Sequence, residues 1–103
     1  MLKDTLSPKF RALADPTRRW YLQALQDGDV RLLEFQDIFS LRPSVVLYHL
    51  RVLEESGLLR SRKEGPERLY TLLPEGFKEA AAWLQRIRST EQVPGRRSSL
   101  RFD

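Results

Sequence analysis

Five side chains within eight residues, Ser44, Val45, Leu47, Tyr48 and Arg51, have types that suit contact with double-stranded DNA. Valine and leucine can meet thymine methyl groups, and serine and tyrosine hydroxyls can bond phosphates or base edges. Arginine can form a paired bond to guanine or hold a phosphate. These five share a face only if the segment is helical. The spacing predicts that it is, over 43–56, with Val46, Leu50 and Leu53 at i, i+4 and i+7 as the buried stripe. Steps of about 100° then turn the five candidates away from the body. The competing expectation is that Leu47 and Tyr48 pack on neighbouring elements. Four cations follow, Arg60, Arg62, Lys63 and Arg68, and Arg42 precedes. Arg18 and Arg19 stand at the start of another expected helix, where backbone N–H groups favour a phosphate.

The charge supports a polyanionic partner. The chain has 103 residues, with 18 basic against 14 acidic, a net charge of +4. Residues 1–39 balance, six against six, so the excess falls in the middle and the tail. Other chemistry is excluded or unsupported. There is no cysteine, so thiolate metal sites, disulfides and cysteine nucleophiles are ruled out. The one histidine, His49, borders the buried stripe and reads as a packing or hydrogen-bonding group. No glycine-rich phosphate loop or nucleophilic triad is present, so no catalytic residue, cofactor or metal is expected. No apolar run is long enough to span a membrane, and Met1–Phe10 lacks a signal-peptide core. A cytoplasmic location is therefore expected.

The elements that must position these residues follow from capping and periodicity. Ser7-Pro8 predicts a helix over 8–14, and Asp15-Pro16 a second to Gln26, stopped by Gly28. Asp29 is expected to cap a third, 30–39, and Pro43 opens the fourth, which Gly57 ends. Leu58–Lys63 and Glu67–Leu73 read as strands around a Gly65-Pro66 turn, with alternation expected to separate Leu59 and Leu69 from the arginines. A last helix runs from Pro74-Glu75 to about Arg88. The expected fold is mainly α with a β-hairpin wing, a winged helix-turn-helix in the order α-α-α-α-β-β-α. Residues 1–90 form one DNA-binding and dimerising domain. Residues 91–103 read as a basic, disordered tail, either solubilising or grazing DNA.

Several segments resemble the ArsR/SmtB family of winged-helix repressors. Phe10-Arg-Ala-Leu-Ala-Asp-Pro-Thr-Arg18 is similar to that family's opening. Ser44 to Leu59 resembles its recognition segment, and Arg62-Lys-Glu-Gly65 with Leu69-Tyr-Thr-Leu72 resembles its wing. The match spans about residues 8–88. The resemblance implies a homodimer that represses transcription from inverted-repeat operators, with Ser44, Val45, Leu47 and Tyr48 at the usual base-reading positions. The family's metal-binding cysteines fall here on Arg31 and Leu33. The last helix, where another family site uses Asp and His, has neither. A member that does not sense metals is therefore implied.

Pairing of two copies is expected through the first and last helices. Leu6, Phe10 and Leu13 meet Phe77, Ala80, Ala81, Leu84 and Ile87 in that expectation, because a monomer this small can bury only part of so much apolar surface. The alternative reading is a winged-helix module that binds protein, as an adaptor or antitoxin-like partner, without specific DNA binding.

Overall fold

Asp15 starts its helix as its sequence context predicts. Its Oδ1 accepts from the Thr17 and Arg18 N–H groups at 2.7 and 3.3 Å, and Pro16 fills the first turn. A cap of this kind contributes about 1 kcal/mol. In a computed structural model of the chain, which describes residues 3–39 and 41–90, this helix is α2, Pro16–Ala24, extended by a 3-10 turn to Asp27. The expected tail, 91–103, lies outside the described residues.

The first helix, α1, spans Leu6–Leu13 and begins earlier than expected. Ser7 lies inside it. Asp4 supplies the cap, accepting from the Leu6 and Ser7 N–H groups at 3.1 and 3.0 Å. A carboxylate at a helix N-terminus is a stronger acceptor than a hydroxyl and also meets the positive end of the dipole.

The larger difference follows Gly28. Val30 and Arg31 do not open a helix. They form a short strand, β1, and α3 begins only at Leu32, running to Phe39. Val30 pairs with Tyr70 and Arg31 with Leu69, antiparallel. The buried, β-branched Val30 gains more against the sheet than in a helix turn, and Glu34 Oε1 accepts from the Arg31 N–H at 3.1 Å to start α3 two residues later. The expected hairpin is therefore part of a three-stranded sheet, order β1-β3-β2, with β2 at Leu59–Glu64 and β3 at Glu67–Leu72.

The fourth helix, α4, covers Pro43–Glu55, and Val46, Leu50 and Leu53 are buried as the stripe predicts. They close a core with Tyr21, Phe35, Leu58 and Tyr70. The Tyr21 and Phe35 rings lie 4.9 Å apart, and Phe35 stands edge-on to Tyr70 at 5.9 Å. Gly57, at φ 83°, ends α4 in the left-handed region. The chain returns past this corner before α5, Lys78–Ser89. There the backbones nearly touch. A Cβ on Gly76 would collide with the Gly57 carbonyl oxygen and lie 3.0 Å from its carbon.

Candidate nucleic-acid interface

The outward side of α4 carries the expected set. Ser44, Val45, Leu47, Tyr48 and Arg51 are all exposed, Leu47 by 40% and Tyr48 by 56%, so neither is taken up by packing. Arg42 holds the N-cap position without a side-chain cap bond. Pro43 has no N–H, and the Val45 and Val46 N–H groups close on the Arg42 carbonyl at 2.9 and 3.1 Å, so the first turn of α4 offers a positive dipole end and not a set of open donors.

The wing is fixed to α4 by Glu54, in the last turn of that helix. The Glu54 carboxylate accepts from the Ser61 N–H at 3.3 Å and from its hydroxyl at 3.0 and 3.1 Å. Arg68 Nη1 donates to the same Ser61 oxygen at 3.0 Å. A signal was present. Glutamates in the last turn of a helix oppose its dipole by about 0.3–1 kcal/mol, which a bond such as the one to Ser61 offsets.

Strand register divides the wing cations between two faces. Ser61 pairs with Tyr70, and Lys63 with Arg68, on the side that faces the helices. Arg62 pairs with Leu69, and Arg60 with Thr71, on the other side. The expectation that Leu69 stands apart from the arginines is corrected, because cross-strand partners project from the same face. Arg62 is also occupied. Its guanidinium donates to Thr71 Oγ1 at 3.2 Å, Asp29 Oδ2 at 3.3 Å and Glu64 Oε2 at 3.4 Å. Asp29, expected to cap a helix, instead pairs with this cation.

Arg18 is turned inward. Its Nε donates to the Ala12 carbonyl at 2.8 Å, Nη2 to the Arg11 carbonyl at 3.1 Å, and Nη1 lies 3.1 Å from His49 Nδ1. It closes the C-terminus of α1 and reaches α4 at the same time. Arginine has donors only, so Nδ1 is the acceptor and the proton of neutral His49 sits on Nε2. Burial pushes His49 below its ordinary pKa, and nearby Asp15 opposes while Arg18 reinforces that shift. Lys9 makes a second link between the same helices. Its ammonium donates to the Ser56 carbonyl at the end of α4 at 2.9 Å.

The surface expected to pair two copies is uneven. Ala81, Leu84 and Ile87 are exposed, and half-buried Phe10 meets Trp83 edge-on at 5.8 Å. Leu6 is half-buried, while Leu13 and Phe77 pack against the core. Ala80 differs from the expectation. It is buried within its own protomer, because α5 lies along α1 and Thr5 Oγ1 bonds the Glu79 carboxylate at 2.7 Å at their shared end. Among the described residues, no group of three or more His, Cys, Asp or Glu is placed to hold a metal ion, and no helix is long and apolar enough to cross a membrane.

The chain is similar to known transcriptional regulators in sequence and in fold. A helix-turn-helix domain model matches residues 13–62. The HTH-type transcriptional regulator Rv2034 of Mycobacterium tuberculosis is 35% identical over 79 residues, covering 76% of this chain and 73% of that protein. The transcriptional repressor SdpR of Bacillus subtilis is 25% identical over 75 residues, covering 73% and 83%. The crystal structure of the ArsR family transcriptional regulator RHA00566 superposes with a TM-score of 0.80 at 32% identity, covering 86% of this chain and 98% of that one.

Proposed function

Because the chain belongs to the ArsR/SmtB family of winged helix-turn-helix transcriptional regulators, which bind DNA, we propose that it is a cytoplasmic, homodimeric repressor of an inverted-repeat operator. The observation that carries this reading is the exposed face of α4. Apolar and aromatic side chains held out of the core need a dry partner, and the major groove supplies thymine methyls and base edges beside phosphates. In this reading Ser44, Val45, Leu47, Tyr48 and Arg51 meet the groove, and Arg42 and the positive end of the α4 dipole meet the backbone. Lys63 and Arg68 extend that contact from the wing. Arg60 and Arg62, on the other face of the sheet, reach only the flanking backbone.

Pairing through Leu6, Phe10, Ala81, Leu84 and Ile87 would set two α4 helices about 34 Å apart, one turn of DNA. A dimer seated on a promoter represses by excluding polymerase. In sedimentation at micromolar concentration we expect a species of twice the 12.1 kDa chain mass. A single species at the chain mass overturns the pairing.

The function is tested by selecting duplexes from a random-sequence pool and measuring their binding against unselected competitor. Recovery of a palindromic sequence supports the reading, and binding that ignores sequence removes it. With roughly 6–10 phosphates contacted, affinity should fall about 10³–10⁵-fold between 50 and 200 mM salt. Lys63→Ala should lower the salt slope by about one. Arg62→Ala should lower it less, because Asp29 and Glu64 already match that charge. An unchanged slope in Lys63→Ala would take the wing out of the interface.

A further inference from the structure

We propose that Arg18 is a positioning residue that sets the pitch of α4 through His49, and that this link holds only while His49 is uncharged, so that sequence-specific DNA reading weakens on acidification. The inference rests on the reading of α4 as the DNA-contacting helix. It departs from the expectation that Arg18 itself binds phosphate.

The geometry leaves Arg18 little freedom to serve as a phosphate ligand. Three of its nitrogens are engaged, with the Ala12 and Arg11 carbonyls of α1 and with His49 Nδ1 of α4. The first two contacts anchor the guanidinium to the end of α1. The third is the contact it makes with α4, at the residue next to Tyr48. The His49 ring is half-buried, edge-on to Tyr21 at 6.0 Å and tilted against Tyr48 at 5.5 Å. A shift of His49 is therefore passed directly to the exposed tyrosine of the reading face.

Protonation reverses the contact. Nδ1–H⁺ would place a donor and a positive charge against a guanidinium nitrogen that now sits 3.1 Å away. The ionised and titratable groups facing the ring are Asp15 and Arg18 from α2, with the phenols of Tyr21 from α2 and Tyr48 from α4. From α1 the cluster receives the carbonyls that hold Arg18. Burial pushes the Tyr21 phenol above its ordinary pKa, so it carries no charge that could answer the imidazolium. Asp15 is already committed to the α2 N-terminus, so it does not swing to His49 without uncapping that helix. Repulsion from Arg18 is then relieved by movement of α4. His49 is the sole histidine of the chain, and burial lowers its pKa, so a response on the acid side of the ordinary imidazole value is assigned to one group.

The sign separates this role from direct contact. A histidine that touches phosphate binds more tightly when protonated, whereas the positioning role requires weaker specific binding. The test measures fluorescence anisotropy of a duplex selected at pH 7.5 by the full chain, beside a random-sequence duplex, with far-UV circular dichroism taken at each pH. Between pH 7.5 and 5.5 specific affinity should fall roughly tenfold, the scale of a linkage within one network, while affinity for the random duplex holds or rises. His49→Asn places a non-titrating oxygen near the position of Nδ1. It should keep affinity at pH 7.5 within about threefold of wild type and lose the pH response. Arg18→Gln should lower specific affinity at pH 7.5 with the salt slope unchanged, whereas removal of a phosphate ligand would reduce that slope by about 0.9. The proposal is overturned if wild-type affinity is flat or rises with acid, if His49→Asn responds to pH as wild type does, or if Arg18→Gln lowers the slope. Failure to select any sequence at pH 7.5 is a separate result, and it removes the DNA-reading function itself.

Discussion

Arg51→Ala is expected to lower affinity for the selected duplex by about 1–3 kcal/mol, a loss of about 5- to 150-fold, if its guanidinium pairs with a guanine. The side chain is exposed on α4, one turn beyond Leu47 and nearly one beyond Tyr48, so it projects from the same face. None of its atoms belongs to the core, so the folded state should melt as wild type does. The diagnostic readout is binding across a panel of sequences. If Arg51 reads a base, the variant relaxes preference at one operator position and leaves affinity for the random duplex nearly intact. If Arg51 holds a phosphate, the variant binds every sequence more weakly and its salt slope falls by about one. Tyr48→Phe gives the companion result. It keeps the ring and removes the hydroxyl, so a loss of about tenfold would assign the oxygen to a base or phosphate. Binding unchanged in both variants would mean that this face of α4 does not meet DNA.

The second large effect concerns stability. Gly76→Ala should destabilise the fold by about 1–3 kcal/mol, the range for forcing extra volume into a closed site. The obstacle is backbone, the Gly57 carbonyl, so no side-chain rotation can relieve it. Gly57 cannot easily retreat. Its φ of 83° ends α4, and the adjacent Leu58 carbonyl accepts from the Leu73 N–H at 3.0 Å. For a domain of this size the melting temperature should drop by roughly 5–20 °C. A calorimetric scan checks this, and a wild-type midpoint would show that the corner yields.

Much of the interface was legible because helices announce themselves locally. Val46, Leu50 and Leu53 are three points on one period, and their burial settles which residues face out. Asp15-Pro16 is a start signal complete within two residues. What was not legible depends on partners far along the chain. A two-residue strand has no period to detect, and β1 exists only because Tyr70 and Leu69 lie alongside Val30 and Arg31. Arg18 has the composition of a phosphate ligand. Only the end of α1 and the facing His49 show that its donors are engaged within the protein. Ala80 carries the same spacing signal as Ala81, and the packing of α5 on α1 separates a residue that is already covered from one that is not.

The ammonium of Lys9 on the Ser56 carbonyl at the end of α4 has a mechanical meaning. With Arg18 tying the same two helices farther along, the rod that would join the subunits and the rod that would enter the groove are coupled at two points, of which the one at His49 loosens when that ring is charged. Back to back, two such protomers would form a calliper whose gap is set while both ties hold. Half-sites a little too near or too far apart would then have to be accommodated by the twist and bend of the duplex.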